Sequence, residues 1–386
     1  MQQGGTEVLV RELLKGLSPH FQIVLVSGDE RLSDLPKEFS SLISAHFPWV
    51  HGNRTAEAAK RLAQSIKTEG VALAHFHFGG TYEWQSNRFW RSPIVRLARL
   101  GVPCFSTNHL AVEWLNCGCD PTRPYWQKLI LQGCAWMSRA VVYSRLENEI
   151  AVSLHDQRRL HRTFPIFKNK ISQRYHSLLS EDGPEPNLAE REPVILCVGT
   201  LGGRKAQGNL VEAFGMIARR HPEWRLDLVG REGEAKDVEQ IKMRIKEDGT
   251  GSQILLSGRL TDEETLKRMR SASIIAMPSL QEGLGLSLQE ALFYGCVAVG
   301  TRAGGIPELI DDQVNGILVP SGDVPALGAA LDKLMSDKAL LERLRIETRA
   351  SILRKGMTAK AMVAKYLEDY RRLDHARCSK DLEGPA

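Results

Sequence analysis

The sequence predicts an α/β protein of two doubly wound parallel-sheet units, and three observations lead there. Short strand-like runs recur along the whole chain and are apolar throughout, without the alternation of a half-exposed strand. Helical patterns separate them. A polar stretch near the middle, Ser180-Glu-Asp-Gly-Pro-Glu-Pro-Asn187 followed by Glu192-Pro193, lacks either period and reads as a linker. Strands buried on both faces and joined by helices form parallel sheets covered on both sides. The expected organisation is a first unit over residues 1–179, a linker over 180–193, a second unit over 194–357 and a terminal helix over 358–376.

In the first half the strand-like runs are Phe21–Ser27, Val71–Phe78, Val102–Thr107 and Ala140–Ser144. Val10, Leu13, Leu14 and Leu17 follow the i, i+3, i+4, i+7 spacing of a buried helical stripe, and Arg54–Lys67 and Pro93–Leu100 are similar. In the second half the runs are Val194–Val198, Arg225–Val229, Gln253–Ser257, Ile274–Met277, Val297–Val299 and Gly316–Val319. Helical stretches at Leu210–Arg220, Val238–Glu247, Glu263–Arg270, Leu286–Tyr294 and Ala326–Met335 separate them, and Ala359–Leu373 reads as a terminal amphipathic helix. Open α/β sheets bind ligands at the carboxyl ends of their strands, so a cleft between two such units is the expected active site.

Composition narrows the class. The 386 residues are 42% hydrophobic and 25% charged, with mean hydropathy −0.24. That is ordinary for a globular protein, and no apolar run approaches the roughly 18–20 residues of a membrane span. The start, Met-Gln-Gln-Gly-Gly, has neither the basic nor the apolar region of a secretory leader, and seven cysteines at low density fit a reducing, cytoplasmic compartment better than a disulfide framework. Residues 1–180 hold 22 Lys and Arg against 14 Asp and Glu, whereas residues 181–386 hold 29 against 32. A basic half is either a solvated surface or the complement of an anionic partner: a membrane surface, an acidic substrate or nucleic acid. No zinc-finger, basic-zipper or RNA-recognition pattern accompanies the charge, which argues against nucleic acid. Gly-x-Gly-x-x-Gly after a strand, a P-loop, a Gly-x-Ser-x-Gly elbow and Cys-x-x-Cys are all absent from the sequence.

The stretch richest in chemistry is Ala276-Met-Pro-Ser-Leu-Gln-Glu-Gly-Leu-Gly-Leu-Ser-Leu-Gln-Glu-Ala291. A strand ends at Pro278-Ser279, a loop carries Glu282, Gly283, Leu284 and Gly285, and a helix from Leu286 carries Glu290. Glycines at a strand-to-helix turn let backbone N–H groups approach an anion, and the helix start adds partial positive charge, which favours a phosphate or pyrophosphate. Carboxylates on either side of that anion site accept hydrogen bonds from hydroxyls, so one suits a sugar and the other a ribose. By itself the pattern also describes a capped helix with solvated charges. A second loop, Val198-Gly-Thr-Leu-Gly-Gly-Arg-Lys-Ala-Gln-Gly208, puts Arg204 and Lys205 at the end of another strand, where cations neutralise a diphosphate leaving group. Gly258, Arg259 and Leu260 end a strand at the same rim, and Gly304-Gly305-Ile-Pro-Glu308 follows another.

Together these residues resemble the retaining glycosyltransferases of family 4 (group 1), whose GT-B fold pairs two facing Rossmann-like domains. The likeness spans nearly the whole second half: Glu282 and Glu290 fall on the family's paired glutamates, and Gly295, Gly304-Gly305, Glu308, Asn315-Gly316 and Gly322-Asp323 keep its order and spacing. The resemblance implies that Glu282 binds the donor sugar, Glu290 the nucleotide ribose, Lys205 the diphosphate, and Gly258–Leu260 the nucleobase through its backbone. The family's arginine on the first loop falls at Thr200, so Arg204 is the expected substitute. In the first half Gly4-Gly5-Thr-Glu7 resembles the loop facing the donor phosphates, and Gly101-Val-Pro-Cys-Phe-Ser-Thr-Asn-His109 a strand end whose His109 contacts the transferring sugar. The implied partners are a nucleotide-diphosphate sugar and an acceptor hydroxyl, on a glycan, lipid-linked or small molecule, with no metal and no further cofactor. A nucleotide-sugar epimerase and a non-catalytic nucleotide-sugar-binding protein are the alternatives.

Three further features stay open to structural roles. His75 and His77 share a strand face, Cys117 and Cys119 lie two apart, and six of the seven tryptophans fall in the first half, where aromatic faces suit sugars, membrane interfaces or a core. In the resembled fold an apolar strand precedes the first Gly-rich loop, yet Gly4-Gly5 follows only Met-Gln-Gln. About five strand residues do not fit there. The sequence therefore predicts a missing central strand, encoded upstream of an internal or misassigned Met1.

Overall fold

The computed structural model describes residues 5–27, 40–48, 55–78, 92–109, 124–183, 185, 191–247 and 249–382. These form two units, the first from residues up to Tyr175 together with those from Ala359 onward, the second from His176–Thr358. The division falls a few residues ahead of the expected linker. Ser180–Gly183 belongs to the second unit, where Arg349 donates to the carbonyls of Glu181 and Gly183.

The first unit runs α1 (Gly5–Leu17), β1 (Val24–Ser27), β2 (Ala45–Pro48), α2 (Ala56–Thr68), β3 (Ala74–Phe78), α3 (Pro93–Arg99), β4 (Cys104–Asn108), α4 (Tyr125–Arg145), β5 (Asn148–Ala151), α5 (Leu154–Thr163) and β6 (Ile171–Gln173). Its strands are all parallel and lie, among the described residues, in two sheets: β1 beside β2, and β3-β4-β5-β6. Helices start where side chains replace missing backbone partners. Thr55 accepts from the Ala58 N–H at the head of α2, and Ser153 from the Asp156 N–H at the head of α5. Leu62, Ile66, Ile94, Leu97, Tyr143, Leu146, Phe164 and Ile171 build the core. Within it, Glu149 is fully enclosed, paired with Arg139 and accepting from the Ser106 hydroxyl at 2.7 Å.

The expected strand Ala140–Ser144 is instead the last third of α4. Val142 and Tyr143 are apolar because they face the core, with Tyr143 stacked on Phe167 and tilted against Phe164. The strand of that region is β5, a few residues later.

The second unit runs β7 (Glu192–Val198), α6 (Gln207–Gly215), β8 (Arg225–Val229), α7 (Ala235–Glu247), β9 (Ile254–Gly258), α8 (Asp262–Ser271), β10 (Ala272–Met277), α9 (Leu286–Phe293), β11 (Val297–Thr301), α10 (Ile306–Leu309), β12 (Gly316–Val319), α11 (Val324–Ser336) and α12 (Lys338–Arg354). All six strands are parallel in one sheet, ordered β12-β11-β10-β7-β8-β9. β10, β11 and β12 are buried at every residue, as strands covered on both faces must be. A reciprocal capping box between Thr261 and Glu264 opens α8. The order reverses between β7 and β10. Loops leaving neighbouring strands in opposite directions leave a crevice at their carboxyl ends, and ligands bind in such crevices.

The last helix, α13 (Ala359–Leu382), belongs to the first unit. Arg174 grips Asp369 with two donors at 3.1 and 2.7 Å, Tyr366 and Thr107 exchange a hydroxyl hydrogen bond at 3.1 Å, and Val363 packs against Gly16 of α1.

Candidate active site

The loop leaving β7 is a cage of internal hydrogen bonds. The Gln207 side chain, fully buried at the head of α6, accepts from the Gly202 N–H at 2.9 Å and donates to the Thr200 carbonyl at 3.0 Å. Asp237 accepts from the Gly203 N–H at 2.5 Å. The Leu280 N–H donates to the Arg204 carbonyl at 2.8 Å, which stitches this loop to the one leaving β10. Those constraints turn Arg204 and Lys205 toward the β10 loop.

There they meet Glu282. Lys205 Nζ lies 2.5 Å from Glu282 Oε2, Arg204 Nη1 lies 3.7 Å from the same oxygen, and the Ser279 hydroxyl is 3.5 Å away. Burial alone would raise this carboxyl's pKa. The charges of Lys205 and Arg204, with hydrogen bonds from Lys205 and the Gly283 N–H, outweigh it and hold the group below the usual carboxylate range. The backbone of Glu282 is clamped as well: its carbonyl accepts from the Gly305 N–H at 3.3 Å, and any side chain at Gly304 would overlap that carbonyl.

Gly285 heads α9 with φ +99°, a left-handed conformation that glycine adopts without strain, and no side chain caps it. Ser287 donates to the Val198 carbonyl at 3.2 Å, fixing the start of α9 over the end of β7. An uncapped helix start beside two cations has the partial and full positive charge that suits an anion. Glu290 lies one turn into α9. Burial, and then the charge of Asp262 at the head of α8, push its carboxyl up to about 7. Asp262 heads α8, two residues after Gly258, Arg259 and Leu260 at the end of β9. The second unit thus brings Arg204, Lys205, Glu282, Gly283, Leu284, Gly285, Leu286 and Glu290 to one end of its sheet.

One residue of this rim was not singled out from sequence. Arg231, just past β8, donates from Nε to the Thr200 hydroxyl at 3.2 Å. A guanidinium therefore stands at the position where the first loop lacks its expected arginine. Its place two residues beyond a strand end was the available signal, but the 31 positions that separate it from Thr200 hide the contact.

His109 is in the first unit, at the end of β4, with Nε2 3.3 Å from Nδ1 of His77. Burial pulls the His77 pKa down to about 4, so the ring is neutral. His75 stacks on His77 and uses both ring nitrogens, with Tyr370 OH at 2.5 Å and Thr107 Oγ1 at 2.8 Å. Gly5 opens α1. Gly4, Cys117, Cys119, Trp49, Trp84, Trp90 and Trp114 lie outside the described residues.

Residues 180–351 match the family described as glycosyl transferases, group 1. D-inositol 3-phosphate glycosyltransferase of Corynebacterium jeikeium (strain K411) is 32% identical over 160 residues, 40% of this chain and 38% of that protein. The GDP-mannose-dependent alpha-(1-6)-phosphatidylinositol monomannoside mannosyltransferase of Mycolicibacterium smegmatis is 29% identical over 152 residues, 38% of this chain and 39% of that protein. The chain thus matches about two fifths of the length of these curated relatives. Solved structures extend the likeness of fold to nearly the whole chain. A sucrose-phosphate synthase from Thermosynechococcus elongatus superposes with TM-score 0.71 at 19% identity, covering 97% of this chain and 94% of that one. HepE of Anabaena, in complex with UDP and glucose, gives TM-score 0.69 at 16% identity, with 96% of each chain covered. The architecture of two Rossmann-like units anticipated from sequence is the GT-B fold that these proteins share.

Proposed function

We propose, from the match of residues 180–351 to the group 1 glycosyl transferases, that the protein transfers a sugar from a nucleotide-diphosphate donor to an acceptor hydroxyl with retention of configuration. The observation that carries the reading is the placement of Lys205 and Arg204 on Glu282 beside the uncapped start of α9, at the switch point between β7 and β10. The site offers positive charge for a diphosphate and, next to it, an ionised carboxylate for sugar hydroxyls. The complexes of HepE with UDP and with UDP-glucose, and the GDP-mannose dependence named for the mycolicibacterial relative, support a nucleotide-sugar donor here.

In this mechanism the glycosidic bond to the diphosphate breaks first, through an oxocarbenium-like transition state. Arg204, Lys205 and the N–H groups of α9 stabilise the charge gathering on the departing phosphate oxygen. Glu282 orients the sugar, Glu290 the ribose, and Gly258–Leu260 the nucleobase. The acceptor hydroxyl attacks from the face the diphosphate leaves, and its proton passes to the leaving oxygen.

Calorimetry with free nucleoside diphosphates and with their sugars tests the division of labour. Glu290→Gln weakens both ligands, because the ribose is common to them. Glu282→Gln weakens only the sugar-bearing donor. Equal losses for both ligands in both variants contradict the assignment. Donor consumption with and without a mixture of acceptors then separates transfer from epimerisation, which needs no acceptor, and from binding without turnover.

A further inference from the structure

The first half of α4 carries a run of exposed apolar side chains. Tyr125, Trp126, Leu129, Ile130 and Met137 are each between 49% and 75% exposed. At about 100° per residue they fall, with exposed Gly133, within an arc of roughly 140°, and from first to last they span about 18 Å of helix. The arc carries no charge; Lys128 lies well outside it, Gln132 borders its Tyr125 edge, and Trp136 falls within it where the helix meets the rest of the unit. The helix is anchored farther along. Trp136 stacks on Phe164 and donates to the Thr163 carbonyl at 3.0 Å, and Tyr143 is fully buried. The exposed apolar face is therefore held outward by a rigid attachment.

Charge identifies what it meets. Residues 125–170 contain eight Lys and Arg against three Asp and Glu. Two of the three acids, Glu149 and Asp156, are buried, which leaves Glu147 as the only acid at the surface of this stretch. Seven of the eight cations are exposed or half-buried, including Arg145, Arg158, Arg162 and Lys168. The turn Pro165–Lys170, which follows α5, adds an exposed Ile166 between these cations. Aromatic and aliphatic side chains on a helix face, in a stretch rich in exposed cations and nearly free of surface acids, match an interface between water and anionic headgroups. Among the described residues no helix is long and apolar enough to cross a membrane, so the contact is with a surface.

We propose that the apolar face of α4, with the basic surface of α5 and the turn after it, docks the protein on an anionic lipid bilayer, with Trp126 and Ile130 entering the headgroup layer. The proposal goes beyond the transferase reading, and its test reads no turnover, so failure of one leaves the other standing.

The experiment is flotation of the full chain with vesicles of phosphatidylcholine alone or mixed with phosphatidylglycerol. At low salt, partitioning to the anionic vesicles exceeds that to neutral ones by tenfold or more and falls as salt rises, with about fivefold lost for each of Arg162→Ala and Lys168→Ala. Trp126→Gln with Ile130→Gln lowers partitioning about tenfold or more, and brominated lipid quenches the parent's fluorescence more than that of Trp126→Phe. Both replaced side chains are exposed, and an unchanged melting curve checks that the double variant folds. Equal partitioning to the two vesicle types, or an unaltered double variant, overturns the proposal. So does a concentration-dependent oligomer that the double variant abolishes, which would give the face to a second copy of the chain.

Discussion

The two units solve the same problem, holding strand ends still, in different ways. In the second unit the sheet is continuous. β7 and β10 have hydrogen-bonded neighbours on both sides, and main chain frames the side chains beyond them: the Glu282 carbonyl, the N–H groups at the start of α9, and glycines at close approaches. In the first unit the described strands divide into two sheets, β1 and β3 each have a single strand neighbour, and both are only partly buried. Its rim is organised by side chains. His75, His77 and His109 form a file of rings tied directly to Tyr370 and through Thr107 to Tyr366, both of α13. A main-chain site tolerates little variation, since its geometry is the geometry of the fold. A side-chain rim can be rewritten one residue at a time.

Glycine substitutions probe that contrast most severely. Gly304→Ala drives a methyl into the Glu282 carbonyl at φ +54°, and we expect a loss above about 4 kcal/mol, with donor binding lost too. Gly101→Ala, in the first unit, has a similar φ of +77° but no heavy atom within 4 Å, and should cost only about 1–2 kcal/mol. Denaturant melts of the two variants compare them directly; similar losses would erase the distinction.

Next in size is Lys205→Ala. Loss of one donor to the developing diphosphate charge should lower turnover by roughly 100- to 1000-fold, about 3–4 kcal/mol. Release of nucleoside diphosphate measures it, and near-normal turnover would remove the lysine from the mechanism.

The smallest effect comes from pH, and it separates two carboxylates of one site. Glu290 keeps its proton up to about pH 7 when folded but only to 4.5 by its ordinary value. Between those values the native state holds the extra proton, so its contribution falls as pH rises and is wholly unfavourable above about 7. Glu290→Gln should therefore raise stability near pH 8, by at most about 3 kcal/mol. Glu282 is held below 4.5, so it stabilises above that value and loses its contribution as pH falls through the folded pKa. Glu282→Gln should lower Tm near pH 8. Shifts of the same sign in both variants would show that the two environments are not opposed.

The second unit was the more legible in sequence for the same reason that it is rigid. β10, β11 and β12 are buried at every residue and β8 at all but its first, so their composition declares them, and glycine marks the loops that carry the candidate site. In the first unit, β2 (Ala45–Pro48), β5 (Asn148–Ala151) and β6 (Ile171–Gln173) are short and partly polar, and nothing in their composition announces a strand. The misread run Ala140–Ser144 shows the converse. A few consecutive apolar, β-branched residues look the same whether they line a strand or the buried side of a helix. The cage around Gly202 and the approach of Arg231 to Thr200 were hidden because they depend on partners brought together only by the fold.

The place of α13 in the first unit has a consequence for synthesis. That unit is discontinuous: His75 and Tyr370, joined by a hydrogen bond, are 295 positions apart, and the 183 residues of the second unit lie between the two parts. At about 5–20 residues per second a ribosome needs on the order of ten seconds or more to make those residues. The second unit, contiguous in sequence, emerges whole and is free to fold as it appears. The first must wait, with His75 lacking its contact to Tyr370, until α13 has been made. The interval in which nascent chains are most exposed to aggregation or to chaperones thus belongs to the part of the protein made first.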